Sequence, residues 1–167
     1  METNRSEQNQ AEDLIAIMRR MPYPVTIITA ASGKNSRGIT IGSFTSLSIS
    51  PPLISFNVER SSQMHSFLLE ADYFIVHIPE VGQEDLCTRF ALSDLTGTEQ
   101  FHEVNFELNR HGVPVIRGVI AALHCRKYKQ MEVGDHSIFA GEVLEAETYK
   151  DNAPILYLDG GYHSLPG

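Results

Sequence analysis

The spacing of apolar residues divides the chain into one helical stretch followed by a long β-rich region. From Gln10 onward, Leu14, Ile15, Ile17, Met18 and Met21 recur at helical intervals, with Glu12 and Asp13 ahead of them and Arg19 and Arg20 behind. This charge order suits a helix dipole, and Pro22 stops the pattern. The apolar stripe is expected to lie against a sheet. Residues 1–9 are polar and expected to be disordered, leaving 10–167 as a single domain.

Beyond Pro24 the β-branched run from Val25 to Thr29 meets the turn-rich AASGKNSRG and then a second arm, a hairpin pattern. A strand is expected over Leu53–Val58, and a short helix over 62–70 with Ser62 as N-cap and Met64, Phe67 and Leu68 on one face. Tyr73–Ile78 reads as a strand, and EVGQEDLCTRFAL after Pro79 as a second short helix turning Leu86, Cys87 and Phe90 inward. The stretch from Ser93 to Gly112 carries little periodicity beyond a strand near Phe106, and its length suits a lid or a partner contact. Strand patterns return at Val115–Ile116, Val119–Tyr128, His136–Leu144 and Ile155–Leu158. Many short strands, three short helices and no βαβ alternation predict a mainly β protein, an antiparallel barrel with helical decorations.

The segment Gly38–Pro52, GITIGSFTSLSISPP, departs from core chemistry. Ser43, Thr45, Ser46, Ser48 and Ser50 offer hydrogen bonds with little bulk among Ile39, Ile41, Phe44, Leu47 and Ile49, which suits either a shelf for a planar heterocycle or an edge strand. Arg60–Ser61–Ser62 sets two hydroxyls and a helix start beside a guanidinium, either an anion site or a capped turn. Arg89 is either a phosphate clamp or a solvated charge. In Gly134–Asp135–His136 a turn, a carboxylate and an imidazole open a strand, so His136 is a candidate for proton or ring chemistry.

Composition narrows the function. A net charge of -8 with no basic cluster argues against a nucleic-acid groove, and no apolar run approaches a membrane span. With no secretory pattern, and Cys87 and Cys125 outside any metal or redox spacing, a soluble cytoplasmic protein with reduced thiols is expected. The histidines form no metal spacing. GxGxxG, the P-loop pattern and a GxSxG elbow are all absent.

Taken in order, VTIITA, G-I-T-x-x-S-F-x-S-L-S-x-x-P-P-L, the Ser61–Ser62 turn, F-I-V-H-I-P with Q-E-D-L-x-x-R-F-A, and G-D-H-x-I-F-x-G-E-V with L-Y-L-D-G-G-Y resemble the flavin reductase-like family over Met18–Leu165. The resemblance implies a Greek-key FMN-binding split barrel and a homodimer. It also implies an NAD(P)H-dependent flavin reductase, supplying reduced flavin to a partner monooxygenase. FMN would be the cofactor, with FAD as an alternative, and NADH or NADPH the hydride donor. It places Ser43, Phe44, Thr45 and Ser46 along the isoalloxazine and ribityl chain, Arg60, Ser61 and Ser62 at the phosphate with Arg89 and Phe90 closing that end, and His136 by the flavin face.

Three positions depart from the family pattern: His77 stands where Asn is common, TGTEQF lacks a lysine before its phenylalanine, and Gly161 replaces an arginine. They bear on nicotinamide use more than on flavin binding. They keep open an FMN-binding electron-transfer or storage protein, and a split barrel for another planar cofactor such as a haem breakdown product.

Overall fold

The computed structural model describes residues 2–165, with side chains described from residue 7 onward. In chain order the elements are α1 (Glu2–Met18), β1 (Tyr23–Pro24), β2 (Thr26–Ser32), β3 (Asn35–Ile41), β4 (Thr45–Ser48), β5 (Leu53–Glu59), α2 (Gln63–Glu70) and β6 (Tyr73–Ile78). They continue as α3 (Glu84–Ala91), α4 (Gly97–Phe101), β7 (Phe106–Leu108), β8 (Pro114–Ile116), β9 (Ala121–Val133), β10 (His136–Thr148), β11 (Leu156–Leu158) and β12 (Gly161–His163).

Seven strands form one antiparallel sheet in the order β3-β2-β6-β9-β10-β5-β4. Its two edge strands, β3 and β4, are joined by only Gly42–Phe44, so the sheet must curl until its edges approach each other. A split barrel results. The Ser43 hydroxyl fastens the split, accepting from the Asn57 amide at 2.9 Å and lying 3.3 Å from the Asn57 carbonyl. The Gly38–Pro52 segment is therefore two strands on opposite edges rather than one continuous arm.

Inside, Ile28, Ile54, Phe56, Val58, Met64, Leu68, Phe74 and Phe139 form the main core. Phe74 meets Phe56 edge-on with ring centroids 5.2 Å apart. Where β10 shifts register against β9 at Ala140/Gly141, Gly141 gives the Phe74 ring the space that a Cβ would fill. A second core of Val25, Ile27, Cys87, Phe90, Phe101 and Ile116 joins the barrel to α3 and α4.

The expectation for the first helix is corrected by the structure. α1 begins at Glu2 rather than Gln10, and Arg19 and Arg20 fall beyond its last turn. Its apolar stripe does not pack on a sheet: Leu14, Ile15 and Ile17 are 59, 54 and 62 % exposed. The chain after α1 is held by the Asp159 amide, which donates to the Arg19 carbonyl at 2.9 Å, beside the small β1-β11-β12 sheet.

The unpatterned stretch from Ser93 to Gly112 contains α4. There the Thr96 side chain accepts from the Glu99 amide while Glu99 reaches back to the Thr96 amide, a capping box that the T-x-x-E spacing announces. No helix among the described residues is long and apolar enough to cross a membrane.

Candidate functional site

β5 sorts its side chains by alternation. Ile54, Phe56 and Val58 enter the core, while Asn57 and Glu59 face out with Ser55 nearly covered between its neighbours. Thr45 of β4 lies opposite Ser55, which lies opposite Ala140 of β10; Asn57 lies opposite Ile138, and Glu59 opposite His136. Paired residues on adjacent antiparallel strands share a face, so Thr45, Ser55, Asn57, Glu59 and His136 belong to one outward surface. From the Thr45 row to the His136 row is four residues of β5, about 13 Å at strand rise.

This surface is built of small polar groups. Thr45 and Ser46 are exposed, and among the described residues the Ser46 hydroxyl is bonded to no protein group. β4 pairs only with β5, so its other edge presents free backbone amides and carbonyls. A planar heterocycle with a polar rim fits this chemistry: hydroxyls and edge amides on one side, and a floor kept low by Ser55 and Ala140. On the far side of the split, Tyr23, Thr40, Gly42, Ser43, Tyr157 and Tyr162 line an aromatic recess of about 420 Å³. Phe44 is half-buried against the main core.

The turn at the other end of β5 joins two of the segments singled out from sequence. The Arg60 amide donates to the Asp135 carbonyl at 2.9 Å, stitching the RSS turn to the GDH turn. The Arg60 guanidinium pairs with Glu132 at 3.1 Å, and Ser61 donates to Glu59 at 2.6 Å. Ser62 is the N-cap of α2, its hydroxyl accepting from the His65 amide at 3.2 Å. All three residues thus already hold protein partners, and Glu59, Glu132 and Asp135 make the turn locally acidic.

His136 is half-exposed, with Nδ1 donating to the Asp135 carboxylate at 2.7 Å. That bond places the proton on Nδ1 and turns Nε2 outward, while His136 holds the Asp135 carboxyl below its usual range. Behind it, buried His65 shares a 2.8 Å hydrogen bond with the Ser137 hydroxyl, tying α2 to β10. That partner lies 72 positions away in the chain, so no local motif announces the pair.

Arg89 and Phe90 are brought elsewhere. Phe90 is 1 % exposed, edge-on to Phe101, and Arg89 Nη1 donates to the His102 carbonyl at 2.6 Å, fixing α3 to the end of α4. His77 is fully buried beneath β8, away from the outward face.

A mainly antiparallel split barrel with an open, hydroxyl-bearing face defines a class of ligand-binding barrel rather than a nucleotide-binding α/β sheet. Within it, the chain belongs to the flavin reductase like domain family, whose model matches residues 18–166. It is 35 % identical over 138 residues to the NADH-dependent FMN reductase of Agrobacterium fabrum, covering 83 % of this chain and 76 % of that protein. The reductase component of 4-hydroxyphenylacetate 3-monooxygenase from Thermus thermophilus is 31 % identical over 148 residues, covering 89 % of this chain and 92 % of that one. The NADH:FAD oxidoreductase of Streptomyces globisporus, solved with NAD and FAD fragments, superposes with a TM-score of 0.87 at 33 % identity, covering 95 % of this chain and 94 % of that one.

Proposed function

We propose that this chain is an NAD(P)H-dependent flavin reductase that binds FMN, or FAD in its place, and delivers reduced flavin to a partner monooxygenase. The observation that carries the reading is the outward face of β4, β5 and β10, where small polar groups run from Thr45 to His136 in a protein of this family. Ser43, Phe44, Thr45 and Ser46 would hold the ring, and Ser62, Ser61 and Arg60 would meet its phosphate, while Arg89 and Phe90, engaged with His102 and Phe101, stand apart from that end. When bound, flavin supplies the redox chemistry, accepting hydride from a nicotinamide and passing electrons on. The chain's part is to fix the stacking geometry of two planar rings and to present His136 Nε2 beside them.

Relatives named as reductase components support a monooxygenase as partner. A homodimer follows from the same reading, supported by the exposed apolar residues Leu14, Ile15, Leu47, Ile49 and Met131, which a second copy would cover. The two free cysteines and the nicotinamide donor suit the cytoplasm.

Stopped-flow mixing of the protein and FMN with NADH and, separately, NADPH tests the activity: flavin bleaching must exceed the uncatalysed rate. No acceleration with either donor would leave a flavin carrier or storage protein. His136→Ala should slow reduction while changing FMN affinity only a few-fold, and Ser62→Ala should weaken affinity. A monomer by light scattering would contradict the dimer.

A further inference from the structure

Directly behind His136 the core contains a polar pair. His65 of α2 is 6 % exposed and Ser137 of β10 is 1 % exposed, and the imidazole Nε2 and the hydroxyl lie 2.8 Å apart. The packing around them is apolar. Met64 and Leu68 carry α2 into the main core, and the His65 ring meets Phe139 edge-on with centroids 5.6 Å apart. Exchanging both members of a buried polar pair for apolar groups of similar shape is close to neutral in stability. What the hydrogen bond adds is a single fixed geometry, where apolar neighbours could slide.

The strand shows what is fixed. Successive side chains of β10 point to opposite faces, so holding Ser137 inward holds His136 outward. The second half of α2 has other fastenings, Lys127 Nζ donating to the Leu68 and Leu69 carbonyls and the Ser32 hydroxyl to Glu70. In its first turn the His65–Ser137 bond is the one side-chain hydrogen bond from α2 to the barrel among the described residues. The His65 amide also donates to the Ser62 hydroxyl at 3.2 Å. One residue therefore touches both the cap of the RSS turn and the neighbour of His136.

We propose that His65, acting through Ser137, is a positioning residue for His136. It holds the first residues of β10 so that the Asp135–His136 bond forms and Nε2 faces the ligand. Its consequence for turnover rests on the flavin reductase reading; its hold on the His136 ring does not.

Two measurements on the full chain test this. NMR of the ¹⁵N-labelled imidazoles reads the His136 tautomer, and stopped-flow mixing with FMN and NADH or NADPH reads the reduction rate. In the wild type His136 should be in the Nδ1-protonated form that its bond to Asp135 requires. His65→Leu/Ser137→Ala removes both members of the pair, so it should keep the wild-type urea midpoint while His136 shifts toward the Nε2-protonated form of an unconstrained histidine. Its reduction rate at saturating FMN should fall roughly tenfold, the scale of a displaced catalytic group, with FMN affinity changed only a few-fold. Added to His136→Ala, the same double change should have no further effect on the rate, as a residue acting through His136 requires and a general loosening of structure does not. His65→Gln, whose amide reaches the place of Nε2, should recover most of the rate; His65→Asn, which reaches only the place of Nδ1, should not.

The proposal is overturned if the folded double variant keeps the wild-type tautomer, if it reduces FMN at the wild-type rate, or if its rate loss persists in full in the His136→Ala background. Should the double variant fail to fold, His65→Gln and His65→Asn carry the comparison, and the same His136 tautomer in both overturns it. Where the wild type itself reduces no flavin with either donor, the reductase reading fails and the tautomer alone decides the role of His65.

Discussion

His77 should make the barrel's stability fall with acid more steeply than its surface charges require. The ring is fully buried on β6, where Nε2 accepts from the Ile116 amide at 3.0 Å and Nδ1 bonds to the Ile27 carbonyl at 3.0 Å. An amide can only donate, so Nε2 must be bare and Nδ1 must carry the proton. The neutral ring thus bridges β2, β6 and β8. Protonation at Nε2 would break the Ile116 bond and put a charge in the core. Burial accordingly pushes the His77 pKa from 6.5 down to about 4, with the Ile27 carbonyl opposing and the nearby His124 adding slightly to the drop.

The sign follows from which state takes up protons first. As pH falls through 6.5 the unfolded chain protonates this histidine and the folded chain does not, so stability declines until the folded group titrates near 4. A separation of that size corresponds to about 3 kcal/mol in full, of which about 2 kcal/mol is lost between pH 7 and pH 5. Urea denaturation at both pH values, for wild type and His77→Asn, isolates the contribution, because asparagine keeps a donor and an acceptor but cannot titrate. The wild type should lose about 2 kcal/mol more than the variant over that interval. Parallel losses in the two proteins would refute the reasoning.

Gly38→Ala should destabilise the fold by about 1–3 kcal/mol in the same assay, since its Cβ would lie 2.5 Å from the Phe90 ring and force α3 off β3. Ser43→Ala removes the clamp across the split and should cost about 1–3 kcal/mol, the Asn57 amide losing its partner; flavin titration of the same variant shows whether the open face survives. Ser62→Ala and His136→Ala should be non-additive in FMN affinity by more than about 0.5 kcal/mol, because their turns are joined through Arg60 and Asp135. Additivity within that margin would mean that the two act at separate ends of the ligand.

Much of the fold was legible because strands declare themselves locally. The β-branched run after Pro24, the turn glycines of the hairpin and the Ser62 cap each act within a few residues, and β2, β3, β5, α2, β6 and α3 follow from them. α4 was legible in principle, through the capping box at Thr96, but lies in a stretch too short and too polar to show a period. The orientation of α1 was not. An amphipathic stripe says that a helix needs a partner, and nothing local says whether the partner is its own sheet, so Leu14 and Ile17 could be assigned a face but not a neighbour.

The candidate site divides along the same line. Hydroxyl composition marked the Ser43–Ser46 stretch, yet the break at Gly42–Phe44 depends on sheet closure, a constraint between strands at opposite edges. From sequence, Ser62 and His136 sit in unrelated motifs and were given different ends of one ligand. The β5–β10 register sets Glu59 against His136, and the Arg60 amide then fixes the two turns together. Arg37 shows the reverse case. Its neighbours in the chain, Ser36 and Gly38, read as turn and strand residues, and an arginine at a hairpin arm reads as solvated. Only α4 folding over β3 and the Ser93 carbonyl closing on its guanidinium turn it into a buried charge. A residue whose significance comes from what covers it carries no local signal, and for that reason no motif announces the buried charge of Arg37.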